Sequence, residues 1–380
     1  MKIIYVVGAR PNFMKVAPVI EAVEHLSKTG SGNRNVHQLL VHTGQHYDHA
    51  MSTLFFEELG LPRPDINLEV GSASHGTQTG RIMEAFEKVL LHERPDIVIV
   101  VGDVNSTMAC TIDAKKLGIT VAHIEAGLRS RDLTMPEEIN RMVTDSISDL
   151  LFTTERGANQ NLLNEGRPES CIHFTGNVMI DTLLKHRDAA MRLPTLEKLG
   201  LKVQGDRPRG YAVLTLHRPS NVDSDSIMKK IGQVLQHIGK QFPIIFPVHP
   251  RTRTKIADFN LSDVFSERHG IRMIDPLGYL DFLNLMANAR VVLTDSGGIQ
   301  EETTILGVPC LTLRHNTERP ITVEQGTNLL VGNEPEAILE GFNQILEGKA
   351  GMLKQTPELW DGKAAVRIAG VLLNRNTPAQ

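Results

Sequence analysis

The stretch "DIVIVVGDVNSTMACTIDAKKLGITVAHIEAG", residues 96–127, decides the fold of this protein. It opens with an apolar run over 96–103, continues with a helical pattern from Thr107 to Leu117, and closes with a second apolar run over 119–125. Two apolar runs joined by one amphipathic segment are typical of a β-α-β unit, in which both strands lie parallel in one sheet. The sequence therefore predicts a parallel sheet covered by helices.

The same alternation extends through both halves of the chain. In the first half we predict further strands over 2–8, 36–44, 150–154 and 171–176, and helices over Asn12 to Lys28, Gly80 to Glu93, Pro136 to Ser148 and Arg156 to Glu165. In the second half we predict strands over 211–217, 243–249, 271–275, 289–295, 308–313 and 328–332. This repetition indicates two doubly wound, Rossmann-like α/β domains.

The domain boundary is expected where the alternation is lost, between Lys185 and Arg209, a stretch rich in proline, glycine and charge. We predict an N-terminal domain over residues 1–180 and a C-terminal domain over 181–362. The last segment, 363–380, contains an amphipathic helix that we expect to pack back on the first domain. The natural ligand site is then the cleft between the two domains.

Composition excludes several classes of function. The 380 residues are 41% hydrophobic and 22% charged with a net charge of −4, which gives no general reason to expect nucleic acid or membrane binding. The N-terminus "MKIIYVVGARPNF" has too few apolar residues for a signal segment, which predicts a cytoplasmic protein. The three cysteines lack metal-ligand spacing, and the histidines His42, His46 and His49 have no further ligand, so we expect no metal site.

Acids stand at the ends of two predicted strands in the first half. Asp103 ends the strand over 96–103 and Glu125 ends the strand over 119–125, where a carboxylate is hard to explain by packing. Asp103 can instead cap the following helix, whereas glutamate is a poor capping residue. Glu137 lies in the first turn of the helix that begins at Pro136, where an acid also offsets the helix dipole. Three carboxylates at one edge favour acid-base chemistry.

Cations and small residues indicate an anion site. Gly8 and Arg10 follow the first strand and Lys15 lies one turn into the next helix; the simpler interpretation is a tight turn with two solvated cations. In the second half, His217 and His249 end two strands and are followed by arginines, although a single such histidine is more often structural.

The segment "DSGGIQEE", 295–302, adds a strand-to-helix turn suited to phosphate. Ser296, Gly297 and Gly298 can turn backbone N–H groups towards an anion, while Glu302 lies deeper in the helix, where a ribose hydroxyl would need an acceptor. Glu301 points about 100° away and is expected to be structural. Phe282 is either a core residue or a surface on which a base stacks.

Eight motifs, taken in order, resemble the non-hydrolysing UDP-N-acetylglucosamine 2-epimerases along essentially the whole chain. They are "GARPNFMKVAP", "VHTGQH", "VVGDVNST", "HIEAGLRS", "MPEEINR", "LTLHRP", "DSGGIQEE" and "NTERPITVEQGTNLLVG". The resemblance implies a GT-B-like fold, a homodimer, and interconversion of UDP-GlcNAc and UDP-ManNAc by elimination and re-addition of UDP, with no cofactor.

The resemblance also implies roles for individual residues. The catalytic set is expected to be Asp103, Glu125, Glu137 and His217. The residues expected to bind UDP are Arg10, Lys15, Arg141, His249, Phe282, Ser296, Gly297, Gly298, Glu302 and Arg319. The residues do not distinguish which member of the catalytic set is the acid and which is the base.

Two departures from the family pattern concern activation and the surroundings of His217. Members activated by their own substrate often carry Gln-His-Arg, whereas here Gln45-His46 precede Tyr47-Asp48, which argues against activation by UDP-GlcNAc. Pro219-Ser220 replace the usual Arg-Glu next to His217. The alternatives that remain open are a hydrolysing relative, whose pattern "GTRADFG" is absent here, a glycosyltransferase of the same fold, an epimerase of a 3-acetamido or uronic acid sugar, and a non-catalytic nucleotide-sugar sensor.

Overall fold

Two compact units make up the chain. The computed structural model describes residues 1–29, 35–44, 60, 62–201 and 210–374, apart from the side chain of Arg10. Unit 1 comprises Met1–Lys185 and Glu358–Gln380, and unit 2 comprises His186–Pro357. The chain therefore passes from unit 1 to unit 2 at 185/186, inside a helix and five residues after the predicted boundary at 180/181. It returns to unit 1 at 357/358, five residues before the predicted boundary at 362/363.

Unit 1 is a parallel sheet with helices between its strands. Its strands are β1 (Lys2–Val7), β2 (His37–His42), β3 (Ile66–Asn67), β4 (Ile97–Val101), β5 (Thr120–Ala126), β6 (Leu150–Thr153) and β7 (Ile172–Phe174). Its helices are α1 (Arg10–Thr29), α2 (His75–Glu93), α3 (Asn105–Lys116), α4 (Pro136–Ile147), α5 (Arg156–Asn164), α6 (Val178–Met191), which crosses into unit 2, and α15 (Ala364–Asn374). A 3-10 turn, Glu169–Cys171, precedes β7.

Unit 2 repeats this plan. Its strands are β8 (Ala212–Thr215), β9 (Ile244–Pro247), β10 (Ile271–Ile274), β11 (Val291–Thr294), β12 (Cys310–Thr312) and β13 (Asn328–Leu330). Its helices are α7 (Thr195–Lys198), α8 (Pro219–Val222), α9 (Asp225–Gly239), α10 (Pro250–Asp258), α11 (Tyr279–Ala287), α12 (Gly297–Leu306), α13 (Ile321–Glu324) and α14 (Pro335–Leu346). The 3-10 turn Glu267–His269 precedes β10.

Both sheets are wound in the same way. The strand order is β3-β2-β1-β4-β5-β6-β7 in unit 1 and β10-β9-β8-β11-β12-β13 in unit 2. All of the strand pairs are parallel. The order reverses between β1 and β4, and again between β8 and β11, which are the points where such sheets bind ligands. The predicted doubly wound α/β class is therefore confirmed; the two-residue strand β3 is too short to give a periodic signal and was not predicted.

The C-terminal helix α15 packs against α1 in unit 1, as predicted from the amphipathic pattern. Its buried face includes Ile368 and Leu372, and its amino end is capped by the buried carboxylate of Asp181, which accepts from the N–H groups of Ala364 (3.2 Å) and Ala365 (2.8 Å). No helix in the described ranges is long and apolar enough to cross a membrane.

A close backbone approach fixes the chain where it returns to unit 1. A Cβ at Gly176 would lie 2.1 Å from the carbonyl oxygen of Leu359, and its φ is +86°. Gly166 has a similar φ of +82°, but a Cβ there would meet nothing within 4 Å. We expect Gly166→Ala to cost about 1–2 kcal/mol of unfolding free energy from backbone strain alone. Gly176→Ala should cost roughly 1–3 kcal/mol more, because the backbone must also move.

Thermal unfolding of the two variants measures this difference, since Gly166→Ala is the control for the shared strain. Equal melting temperatures would show that the segment at Leu359 is not held against Gly176.

Candidate functional site

The carboxyl ends of β1, β4 and β5 bring together a charged group in unit 1. Lys15 of α1 donates to Glu125 at the end of β5, and both side chains are largely buried. A Cβ placed on Gly102, directly after β4, would lie 3.5 Å from Glu125 Oε2 and 3.6 Å from Lys15 Nζ. Lys15, Glu125 and the turn after β4 thus surround one point, as the strand-end argument predicts for these three segments.

Asn12 holds the turn after β1 and was not predicted. Its side-chain oxygen accepts from the N–H groups of Gly8 (3.1 Å) and Ala9 (2.9 Å), and its Nδ2 donates to the carbonyl of Val101 (3.3 Å). The bonds tie the end of β1 to the end of β4. Arg10 begins α1, but its side chain lies outside the described residues.

Asp103 is held from helix α4. Arg141 donates to its carboxylate and Asn140 Nδ2 donates to its backbone carbonyl at 2.8 Å. The N-cap position of α3 is Val104, so capping does not explain Asp103. Arg141 is buried, and it also donates to Glu138 at 2.6 and 3.1 Å. Arg141, predicted to bind UDP, therefore bonds Asp103 in this structure.

Glu138, missed by the sequence argument, organises the loop after β5. Its oxygens accept from the N–H groups of Ser130 (3.0 Å) and Arg131 (2.9 Å) as well as from Arg141. Burial raises the pKa of Glu138, but these N–H groups and the charge of Arg141 outweigh it and hold the pKa below its usual value. The predicted acid Glu137 is half-buried and has no hydrogen-bond partner among the described residues.

In unit 2, His217 forms a pair with Asp295. Their strands β8 and β11 are neighbours in register, with Thr215 opposite Thr294. His217 Nδ1 lies 2.9 Å from the fully buried Asp295, which also accepts from the N–H groups of His217 and Arg218. Burial raises the pKa of Asp295, but the bond to His217, its charge and these N–H groups hold the pKa below its usual value.

An ionised carboxylate can only accept, so Nδ1 of His217 carries the ring proton. Nε2 is the nitrogen that accepts a proton whenever the ring is neutral. The sequence pattern assigns Asp295 only to a phosphate turn; the register of β8 against β11 shows that it faces His217.

Three arginines gather around one buried acid at the carboxyl edge of the same sheet. Glu318 contacts Arg319 (2.8 Å), Arg314 (2.8 Å) and Arg218 (3.4 Å). Arg319 also donates to Glu301 at 2.7 Å, which makes Glu301 a structural partner. Burial raises the pKa of Glu318, but the three guanidinium charges hold it far below its usual value.

This cluster adjoins the amino end of α12. A Cβ on Gly297 would lie 2.7 Å from Arg319 Nη1, whereas Gly298 faces open space. The cluster contains three guanidinium groups and two carboxylates, those of Glu301 and Glu318, so these five side chains carry a net positive charge. This charge lies next to the amino end of a helix, where backbone N–H groups have no partner within the helix. Such an arrangement suits a phosphate. Ser296 is the N-cap residue, and its side chain makes no capping bond.

Glu302 lies deeper in α12. It is buried, accepts from the hydroxyl of Tyr279 at 2.9 Å, and burial raises its pKa to about 7. Phe282 is half-buried and shares a face of α11 with Tyr279, since residues three apart are neighbours on a helix. His249 is exposed as the N-cap of α10, where its Nδ1 accepts from the N–H of Arg251 at 3.3 Å.

Two doubly wound parallel units define a protein of the GT-B-like class. The family model described as UDP-N-acetylglucosamine 2-epimerase matches residues 28–373. The chain belongs to this family.

Individual relatives agree with this assignment. A UDP-N-acetylglucosamine 2-epimerase of Methanococcus maripaludis is 44% identical over 99% of this chain and 100% of its own. A UDP-2,3-diacetamido-2,3-dideoxy-D-glucuronate 2-epimerase of Pseudomonas aeruginosa is 40% identical over 98% of this chain and 99% of its own. The crystal structure of a Methanocaldococcus jannaschii UDP-GlcNAc 2-epimerase in complex with UDP-GlcNAc and UDP is similar with a TM-score of 0.88 and 42% identity, covering 99% of this chain and 100% of that one.

The raised pKa of Glu302 predicts a pH-dependent stability. The folded protein holds a proton on Glu302 up to about pH 7, whereas an unfolded glutamate loses it near pH 4.3. Protonated Glu302 therefore makes its full contribution to the unfolding free energy below about pH 4. This contribution is lost as the pH rises from there through 7. Glu302→Gln mimics the protonated acid and does not titrate. The difference in unfolding free energy between this variant and the wild type should therefore be roughly 3 kcal/mol larger at pH 8 than at pH 5.

Urea unfolding of both proteins at the two pH values measures this difference. Tyr279→Phe, which removes the hydroxyl that contacts Glu302, should increase the pH dependence. A constant gap between wild type and Glu302→Gln would show that Glu302 is ionised throughout.

Proposed function

We propose that the chain catalyses the reversible epimerisation of UDP-N-acetylglucosamine to UDP-N-acetylmannosamine without net hydrolysis. The observation that carries this proposal is the set of acids at the ends of β4 and β5, where Asp103 and Glu125 are each held by a buried cation in a chain of this epimerase family. A glycosyltransferase or a sensor gains nothing from such a set. Formation of a cell-surface polysaccharide precursor is the proposed role.

The proposed chemistry needs no redox step. A base takes the proton at C2, the C1–O bond to UDP breaks, and the electron pair of the C2–H bond becomes the C1=C2 double bond of a glycal. Protonation of C2 on the other face and return of UDP to C1 then complete the change of configuration. Asp103, Glu125, Glu137 and His217 are the proposed acids and bases, and Nε2 of His217 is the acceptor that Asp295 leaves available.

The proposed UDP site lies mainly in unit 2. The diphosphate would bind the amino end of α12 at Ser296, Gly297 and Gly298 beside Arg319, with His249 as a further donor. Five residues beyond Gly297, and so about 7 Å along the axis, Glu302 is suited to the ribose hydroxyls. Phe282 is proposed to stack on uracil. In unit 1, Arg10 and Lys15 would supply further positive charge; Arg141 acts in this scheme by holding Asp103.

Epimerisation of a modified UDP-sugar is the second candidate, because a diacetamido-uronate 2-epimerase is 40% identical over nearly the whole chain. The two candidates share the UDP site and differ in the groups on C3 and C6 of the sugar. The cytoplasmic location stays a prediction.

Proton exchange at C2 tests the proposal. In D2O, UDP-GlcNAc should give UDP-ManNAc with deuterium at C2, detected by proton NMR, and Glu125→Gln should slow the exchange on the order of 100-fold or more. Glu267→Gln, an exposed acid in unit 2, is the control that should leave the rate unchanged. Stoichiometric release of UDP and ManNAc would favour a hydrolysing enzyme, and exchange only with a diacetamido-uronate would favour the second candidate.

We also propose a homodimer through the outer face of α4. This helix buries polar residues, Asn140, Arg141 and Asp145 among them. It exposes apolar ones, Ile139 at 48% and Met142 at 40%, and Leu133 just before it is 65% exposed. An exposed apolar patch of this kind is typical of an interface, and a two-fold axis lets one patch cover its own copy.

Charged residues on this face should separate the subunits. Ile139→Asp combined with Met142→Asp would bury four carboxylates in a two-fold interface, at a desolvation cost that favours the monomer. Sedimentation velocity should show the mass halved. Met352→Asp in unit 2, at a residue 64% exposed, is the control and should leave the mass unchanged; a wild-type monomer at micromolar concentration would refute the proposed interface.

A further inference from the structure

Asp145, on the inner face of α4, is a fully buried carboxylate with three cationic or N–H partners. It contacts His123 Nδ1 and Arg129 Nη1, each at 2.7 Å, and accepts from the N–H of Gly127 at 3.0 Å. Burial raises its pKa, but His123, Arg129 and the N–H of Gly127 outweigh this effect and hold the pKa below its usual value. The carboxylate is therefore ionised, and its charge is balanced inside the protein.

His123 links this carboxylate to the turn after β4. The fully buried ring donates from Nε2 to the carbonyl of Gly102 at 2.8 Å. An ionised carboxylate and a carbonyl oxygen can only accept, so both ring nitrogens of His123 carry protons. The N–H of Gly102 also donates to the carbonyl of Ile124 at 3.1 Å. Asp145, through His123, thus holds the turn that carries Asp103.

Glu125 lies between the two residues that Asp145 holds. Its φ is +75°, in the left-handed region that glutamate rarely adopts, and the pairing of β5 with β6 is irregular between Ile124 and Ala126. Such a backbone costs of order 1–3 kcal/mol and persists only where neighbours impose it. Here the neighbours are His123 on one side and Gly127 on the other, both bonded to Asp145. The irregular backbone presents the Glu125 carboxylate to Lys15.

We propose that Asp145 is a positioning residue for the reaction: through His123 and the N–H of Gly127 it fixes the left-handed backbone of Glu125 and so aims the Glu125 carboxylate. The proposal deepens the proposed function and rests on it for its kinetic test. Asp145 acts through other residues and contacts no reacting atom in this scheme. Its loss should lower the rate of chemistry far more than the affinity for UDP, because the proposed UDP site lies mainly in unit 2.

The same strand offers a matched control. At the amino end of β5, Asp149 accepts from the N–H of Val121 at 2.8 Å and from Lys115 at 2.7 and 2.8 Å. Asp149 therefore resembles Asp145 in binding a cation and a backbone N–H in or directly after β5, but it does so at the end remote from Glu125. A purely structural role for Asp145 predicts the same kinetic behaviour for both variants.

Steady-state kinetics of Asp145→Asn and Asp149→Asn separate the two roles. We expect Asp145→Asn to lower kcat for UDP-GlcNAc on the order of 100-fold, as a small displacement of a catalytic group does, with KM and the Kd of UDP within about twofold. Asp149→Asn should leave kcat and KM within about twofold. Wild-type kcat in folded Asp145→Asn, or an equal loss in both variants, would overturn the proposal.

Two variants of His123 extend the test if Asp145→Asn does not fold. An asparagine amide lies near the position of Nδ1 and can still donate to Asp145, whereas a glutamine amide lies near Nε2 and can donate only to Gly102. His123→Asn should therefore retain more of kcat than His123→Gln, and the reverse order would overturn the proposal.

A crystal structure of Asp145→Asn gives a readout independent of turnover. We expect residue 125 to leave positive φ and its contact with Lys15 to break; an unchanged backbone would overturn the positioning role. If the wild type does not turn over UDP-GlcNAc, the proposed function fails, and this structural comparison still decides the role of Asp145.

Discussion

The buried polar face of α4 is the constraint on which the ordering of unit 1 depends. Most helices of a doubly wound domain pack an apolar face on the sheet, but α4 turns Glu138, Arg141 and Asp145 inwards. Two of these residues bind segments that bear a predicted acid: Arg141 contacts Asp103, and Asp145 holds the backbone around Glu125. The third, Glu138, holds the loop after β5. Buried charges of this kind contribute little net stability but are costly to break singly, so the helix fixes geometry more than it stabilises the fold.

Unit 2 gathers three arginines around two buried acids, Glu318 and Glu301. Without a ligand, Arg218, Arg314 and Arg319 would repel one another, and Glu318 keeps them together at the edge of the sheet. Counted over these three arginines with Glu301 and Glu318 alone, one positive charge is in excess, and it attracts an anion to the start of α12. A cluster with as many acids as arginines would be more stable but would attract phosphate less strongly. The net positive charge is therefore the property that favours an anion.

The sequence predicts the strands well because a buried parallel strand is a continuous apolar run, and the residues directly after each run lie at the carboxyl edge as expected. Asp103, Glu125 and His217 follow from that rule. The supporting residues do not, since their partners depend on register and on helix rotation. Asp295 meets His217 only because β8 and β11 are adjacent, and Asp145 belongs to a helix that buries its polar face, the reverse of the usual amphipathic arrangement. The strand β3 is too short for any periodic signal, and Gln45 to Asp48 lie outside the described residues.

The left-handed backbone of Glu125 sets a backbone strain against a buried ion pair at a single position. Glycine adopts a φ of +75° without strain, so a change of Glu125 to glycine would relax the backbone while it removed the carboxylate beside Lys15. The same change would leave the buried Lys15 without its carboxylate partner, which costs more than the backbone strain that is relieved. The ion pair with Lys15 therefore holds a glutamate in a conformation that glutamate rarely adopts, and strained backbones of this kind cluster at functional sites.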